Sequence, residues 1–208
     1  MNYGLFYDTE TTGLPLFAEP SEDPRQPHIV QLAAALVDLD TRKTVSSIDV
    51  IIKPNGWTIP DEVAAIHGIT TEKAHDLGIA EESAVAMFLG LWNGRTRIAH
   101  NETFDARILR IALKRFPAIF SESLGDKWKA GATQCTAKLA TPIVKCPPTA
   151  KMIRAGRNHY KTANLTEAYT HFFGQAFDGA HSAMADVDAC KAVYFAIQDL
   201  SNQESVEP

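Results

Sequence analysis

The chain has 208 residues, 45% of them hydrophobic and 22% charged, with a formal net charge of −5. This length can bury one substantial core, and the composition excludes an intrinsically disordered chain. The longest apolar run, Ala84 to Trp92, is shorter than half of the roughly 20 residues that cross a bilayer. No cationic leader precedes the first apolar residues, so we expect a soluble cytoplasmic protein without a membrane segment.

The first part of the chain has the pattern of strands. An apolar run at 3–7 predicts a strand that ends in a polar turn starting with Asp8, and four prolines at 15–27 predict a loop. Further strands are predicted at 28–38 and 45–52, joined by a turn at 40–43. These three strands predict an antiparallel meander.

The second part alternates between helices and short strands. The pattern predicts, in chain order, helical structure after Pro60, a helix at Glu81 to Trp92, a strand at Arg97 to His100, a helix capped by Asn101 and running to about Phe116, a short strand near Ala132 to Cys135, a helical turn, and helices at 163–173 and 186–200. Strands followed by alternating helix and strand predict one α/β domain with a mixed sheet and helices on its faces. The domain covers 1–200, and 201–208 is a C-terminal tail.

Paired acids follow the first predicted strand. The two-residue period of a strand places Asp8 and Glu10 on the same face, where they repel each other unless a cation lies between them. Such a pair is typical of a site for a hard metal ion, although two solvated acids at a turn give the same pattern. Asp105 at a helix start, and His181 and Asp186 before the last helix, likewise have ordinary explanations when taken singly.

Four segments together carry a resemblance. The runs FYDTETTGL (6–14), IHGIT (66–70), AHNETFD (99–105) and AHSAMADVDA (180–189) resemble the DEDDh exonucleases, an RNase H-like family that includes the proofreading exonuclease of the bacterial replicase. The resemblance implies an RNase H-like mixed β-sheet of about five strands, the first three antiparallel, with helices on both faces. It also implies 3'-5' hydrolysis of phosphodiester bonds and release of nucleoside 5'-monophosphates.

The same resemblance assigns roles to the site residues. Asp8, Glu10 and Asp186 hold the ion that binds the attacking water, Asp8 bridges to a second ion, Asp105 supports that ion through water, and His181 is the general base. Oxygen ligands without cysteine favour Mg²⁺ or Mn²⁺. The terminal nucleotide binds a pocket formed by Thr11, Leu14, Ile66, His67, Asn101 and Phe104. Ile66 and Phe104 are also compatible with core positions, and His67 with a structural histidine.

The charge distribution indicates where the rest of the strand binds. Residues 127–166, which we call the basic segment, hold eight of the 20 lysines and arginines and none of the 25 acids. Lys151, Arg154, Arg157 and Lys161 are candidates to contact the phosphates of the strand, although exposed charge is often only a solvated face.

The motifs leave the substrate open. Single-stranded DNA 3' ends are expected, and an exoribonuclease of the same family would use the same five residues, with contacts to the 2'-hydroxyl deciding between them. A non-catalytic nucleic-acid-binding module is a third hypothesis, but it predicts lost metal ligands, and every ligand is present. Oligomeric state, protein partners and the role of the Pro-rich loop at 15–27 are left open by the sequence.

Overall fold

The computed structural model describes residues 2–204. Its strands are β1 (Tyr3–Thr11), β2 (Ile29–Asp38), β3 (Thr44–Ile51), β4 (Thr96–Ala99) and β5 (Thr133–Cys135). Its helices are α1 (Asp61–His67), α2 (Thr71–Leu77), α3 (Glu81–Trp92), α4 (Glu102–Arg115), α5 (Glu122–Ala130), α6 (Thr136–Val144), α7 (Ala150–Arg154), α8 (Leu165–Phe173) and α9 (Ala183–Glu204).

The five strands form a sheet in the order β3-β2-β1-β4-β5. The pairs β3-β2 and β2-β1 are antiparallel, whereas β1-β4 and β4-β5 are parallel. The predicted mixed sheet with an antiparallel meander is therefore confirmed. Because β1 and β4 are parallel, their carboxyl ends meet at the same end of the sheet.

Alternate residues of β1 enter cores on opposite faces. Tyr7 packs against Phe88 of α3, with ring centroids 5.3 Å apart, in a core that also contains buried residues of α4. Phe6 packs against Tyr194 of α9, also at 5.3 Å. Helices thus cover both faces, as predicted, and no helix within residues 2–204 has the length and apolarity needed to span a bilayer.

One predicted boundary and one predicted helix cap near the site are wrong. β1 does not end before Asp8, because its backbone pairing with β2 continues through Glu10 to Thr11. Asn101 precedes α4 as predicted, but it adopts a left-handed conformation with φ 65° and its side chain accepts no capping hydrogen bond.

Other differences concern helices. α5 was not predicted, and the helical region after Pro60 is divided into α1 and α2 at Gly68, whose φ of 72° ends α1. α9 starts three residues earlier than predicted and continues to Glu204, into the predicted tail. Residues 205–208 of that tail lie outside the described residues.

Candidate active site

Two acids project from the carboxyl end of β1. Asp8 and Glu10 alternate with Thr9, so they share the face of the sheet that carries Phe6 and is covered by α9. Opposite them in β2 lie Ala33 and Gln31. Both acids are partly buried.

Asp105 reaches the same end of the sheet from the other face. It lies in the first turn of α4, directly after β4, and is only 2% exposed. Its Oδ1 accepts hydrogen bonds from the Thr9 backbone N–H at 3.0 Å and from the Thr9 hydroxyl at 2.7 Å. Thr9 therefore fixes the position of Asp105 next to Asp8.

The first turn of α9 supplies the last acid. Asp186 Oδ2 accepts a hydrogen bond from the backbone N–H of His181 at 3.3 Å, and His181 itself has a left-handed backbone with φ 68°. The N–H of Ala183 donates to Gln31 Oε1 at 3.2 Å, which ties the start of the helix to β2. Glu10, His181 and Asp186 each offer a ligand atom within 4.8 Å of the others.

Burial raises the pKa of all four acids, and repulsion from the others adds to this for Asp8 and Glu10. Burial raises the pKa of Asp8 well above its usual value, and the charges of the other three acids raise it further. Burial and the charge of Asp186 raise the pKa of Glu10 to about 7. Burial raises the pKa of Asp105 to about 7 although the hydrogen bonds from Thr9 oppose this, and it also raises the pKa of Asp186.

The donor set fits a divalent cation. Four carboxylates converge where their negative charges disfavour one another, and a bound cation removes this repulsion. Carboxylate oxygens are the ligands of hard ions such as Mg²⁺ and Mn²⁺. Within the described residues, the ligand atoms that lie within 4.8 Å of one another belong to Glu10, His181 and Asp186. Asp8 and Asp105 are not within this distance of all three, but Asp8 is close enough to the other three acids for their charges to raise its pKa.

The predicted nucleotide-pocket residues differ in how much of each side chain is exposed. Thr11 is buried and its hydroxyl donates to the Gly13 carbonyl at 2.8 Å, whereas Leu14 is 77% exposed. Phe104 is half-buried against the core, and Asn101 is exposed.

The IHGIT segment ends α1. Ile66 is 55% exposed and is therefore not a core residue. His67 Nδ1 accepts a hydrogen bond from the Ile69 N–H at 3.2 Å, and its buried Nε2 has no partner within residues 2–204. Burial lowers the pKa of His67, and the charges of Lys73 and His181 lower it further, which places this histidine within electrostatic reach of the site.

Some residues that support the site were not predicted. Thr9 and Gln31 hold Asp105 and the start of α9, and buried Glu102 accepts a hydrogen bond from the Tyr7 hydroxyl at 3.0 Å and pairs with Arg97 at 3.6 Å. Strand alternation could have identified Thr9, because it is the residue of the D-T-E run that faces α4.

Only some of the predicted phosphate-binding cations of the basic segment are free of acidic partners. Lys161 pairs with the Glu167 carboxylate at 2.6 Å, so the prediction that it contacts phosphate is not supported by its surroundings. Lys151, Arg154 and Arg157 are exposed and have no acidic partner within 4.0 Å among the described residues.

Comparison with known proteins identifies the fold and the family. Exonuclease I of E. coli in complex with a dT13 oligonucleotide superimposes with a TM-score of 0.71 at 19% identity, over 95% of this chain and 41% of that one. The zinc-bound form of an E. coli exonuclease I complex with single-stranded DNA gives a TM-score of 0.69 at 17% identity, over 96% and 41%. A product-bound exonuclease I gives 0.69 at 19% identity, over 96% and 44%.

The chain thus spans about two fifths of the length of these structures, and the likeness to them shows the fold. None of the curated proteins matches the sequence. The sequence profile RNase_T, described as an exonuclease, matches residues 5–194. The predicted family resemblance is confirmed, and the chain belongs to the exonuclease family.

Proposed function

We propose that this chain is a divalent-metal-dependent 3'-5' exonuclease that removes nucleoside 5'-monophosphates from single-stranded DNA. The observation that carries the proposal is the convergence of Asp8, Glu10, Asp105 and Asp186, from three different elements, at one end of the sheet. Neighbouring structures of this fold hold single-stranded oligonucleotides, which supports the substrate class.

Asp8, Glu10 and Asp186 are assigned to one Mg²⁺ or Mn²⁺ ion, with Asp8 and Asp105 assigned to a second. When bound, two such ions supply a water nucleophile at neutral pH and stabilise the leaving oxyanion. The Asp105 Oδ1 atom accepts both hydrogen bonds from Thr9, which keeps the carboxylate oriented.

His181 is assigned as the general base. Its side chain is exposed on the loop before α9, next to Glu10 and Asp186, where it can take a proton from water and pass it to solvent. The left-handed backbone of His181 and the bond from its N–H to Asp186 hold the imidazole beside the carboxylates.

Thr11, Leu14, Ile66, His67, Asn101 and Phe104 are assigned to the terminal nucleotide. The exposure of Leu14 and Ile66 favours this role, because a base or sugar can cover both side chains. An exoribonuclease uses the same groups, and a comparison of matched DNA and RNA strands decides between them. A non-catalytic binding module is disfavoured because all four acids and His181 are present. The cytoplasmic location stays a prediction.

The test is loss of hydrolysis in Asp8→Ala and Asp186→Ala, assayed with single-stranded DNA and Mg²⁺ or Mn²⁺. We expect nearly complete loss with the fold retained, because each change removes an assigned metal ligand. Asp188→Ala is the matched control, since Asp188 lies on the same helix but is exposed and paired with Lys191. Release of nucleotides by Asp8→Ala at the wild-type rate would rule out the proposal.

A further inference from the structure

The Pro-rich loop at 15–27 is organised around a buried glutamine. Gln26 is 2% exposed, and its Oε1 accepts a hydrogen bond from the Leu16 N–H at 3.0 Å. Its Nε2 donates to the carbonyls of Leu16 at 3.1 Å and Pro20 at 2.9 Å. A buried side chain with this many main-chain partners fixes the conformation of the loop.

The loop also lies along one stripe of α4. Residues three or four apart share a helix face, and the loop is bound in order by three members of such a stripe and then by Arg115, which follows the last of them. The contacts are Arg107 with the Glu19 carbonyl at 2.6 Å, Arg110 with the Ser21 hydroxyl at 3.2 Å, Lys114 with the Glu22 carboxylate at 3.2 Å, and Arg115 with the Gln26 and Pro27 carbonyls, each at 3.0 Å.

This order places the start of the loop near the active site. The member of the stripe that precedes Arg107 is Phe104, which is one residue before Asp105. Because the loop advances along the helix in step with the chain, the residues before Glu19 lie toward the first turn of α4. Leu14, assigned to the terminal nucleotide, begins the same segment.

Phe17 is at the tip of a turn in this part of the loop. The Glu19 N–H donates to the Leu16 carbonyl at 3.0 Å, which closes the turn over residues 16–19. Phe17 is 70% exposed, and Leu14 and Leu16 are exposed as well. Single exposed apolar residues are ordinary, but three within four positions of a fixed loop mark a contact surface.

The acids of the loop are paired with bases. Arg25 pairs with Glu19 at 3.2 Å and with Asp23 at 2.6 Å, and Lys114 of α4 pairs with Glu22 at 3.2 Å. The group that the turn offers to a ligand is therefore the aromatic ring of Phe17, and an aromatic ring accepts the face of any base. The bases of an incoming strand can lie on this side of the site.

We propose that Phe17 stacks on the base adjoining the terminal nucleotide of the single-stranded substrate and so helps to position the strand. This inference rests on the proposed function for its substrate class. Phe17 is a positioning residue here, because it lies outside the carboxylates and His181 that act on the scissile phosphate.

The test measures the affinity of Phe17→Ala for fluorescently labelled single-stranded DNA by anisotropy with chelator present, and KM and kcat with metal. Two strands are compared, one intact and one lacking only the base next to the 3'-terminal nucleotide. We expect about 5- to 100-fold weaker binding of the intact strand, the scale of one lost base-aromatic stack, with kcat little changed. The strand without the base should bind wild type and variant equally.

Two controls make the result specific. Phe17→Trp should retain affinity because it keeps a stacking face. Val45→Ala removes another exposed apolar side chain, at the opposite end of the sheet where β3 pairs with the end of β2, and should change nothing.

An equal loss of affinity on both strands, or no loss on either, overturns the inference. These outcomes differ from failure of the proposed function, which shows as undiminished hydrolysis by Asp8→Ala, because anisotropy with chelator does not depend on catalysis.

Discussion

At the scale of single residues, the site stores unfavourable electrostatic energy until a cation binds. Glu10 and Asp105 keep protons to a pH of about 7 in the metal-free fold, because burial and neighbouring charge disfavour their ionised forms. In the unfolded chain the same groups ionise near pH 4. The folded state therefore holds more protons than the unfolded state between these values.

This difference predicts how stability depends on pH without metal. Since the unfolded chain releases protons that the folded state retains, the contribution of these groups to the free energy of unfolding falls as pH rises from about 4 to about 7 and is level above that. Denaturant unfolding with chelator across this range measures it. Glu10→Gln should show a weaker fall, and Mg²⁺ or Mn²⁺ should remove it; an identical profile for Glu10→Gln and wild type contradicts the assignment.

His181 gives a second prediction at this scale. His181→Ala should lower the rate of hydrolysis by about 10²- to 10⁴-fold, the usual contribution of a general base, with little change in metal affinity. Single-turnover kinetics and calorimetry with Mn²⁺ measure the two quantities, and His75→Ala on the exposed face of α2 is the control. A parallel loss of Mn²⁺ affinity would make His181 a ligand, which its distance to Glu10 and Asp186 permits.

At the scale of elements, the basic segment contains a loop, residues 147–160, whose two ends are held together beside the site. The Lys161 N–H donates to the Cys146 carbonyl at 3.0 Å and closes its base. The Ala163 carbonyl is 3.0 Å from Nε2 of His100, the residue before Asn101. Residues 147–160, with the exposed cations of α7, therefore extend from the edge of the predicted nucleotide pocket.

Removing the positive charges of this loop tests whether a bound single strand contacts it. Replacing Lys151, Arg154 and Arg157 by alanine should weaken binding of long single strands and flatten the salt dependence, by about 0.7 in the log-log slope for each lost phosphate contact. A dinucleotide, which is too short to reach them, should bind as before. Affinity measured across a salt series gives both quantities.

The control for this experiment is the pair Lys127 and Lys129 of α5. Lys127 lines a cavity with Asn93, Gly94 and Gly131, at the amino ends of β4 and β5, which is the sheet end opposite the acids. Their neutralisation should leave the salt slope unchanged. Equal effects of the two sets of changes would mean that α7 has no specific contact with the strand.

An element could be predicted when its own residues carry a clear apolar pattern, and not when its structure depends on distant contacts. β2 and α3 have long apolar runs, and their positions follow from sequence alone. α5 has one buried residue, Trp128, in a polar and glycine-containing stretch, so its apolar pattern is too weak to predict a helix. The fixed conformation of the loop at 15–27 depends on contacts with α4, which is about ninety positions away in the chain. Local sequence patterns do not show such contacts.

At the scale of the whole molecule, the topology creates the site. Asp8 and Glu10 come from a strand, Asp105 from a helix after the neighbouring parallel strand, and Asp186 from the last helix on the opposite face. The acids could be predicted because the motifs keep their spacing, whereas the residues that hold them, such as Thr9 and Gln31, required the structure. The roles assigned to the site residues stay predictions.

The central claim is tested most directly by the direction and products of hydrolysis. Purified protein is incubated with Mg²⁺ and single-stranded DNA labelled at the 5' end, and with a closed single-stranded circle, and the released nucleotides are identified by mass. The account predicts shortening from a free 3'-hydroxyl, nucleoside 5'-monophosphates as products, no cleavage of the circle and no reaction with chelator. Nucleotides carrying 3'-phosphates, or efficient cleavage of the circle, would contradict it.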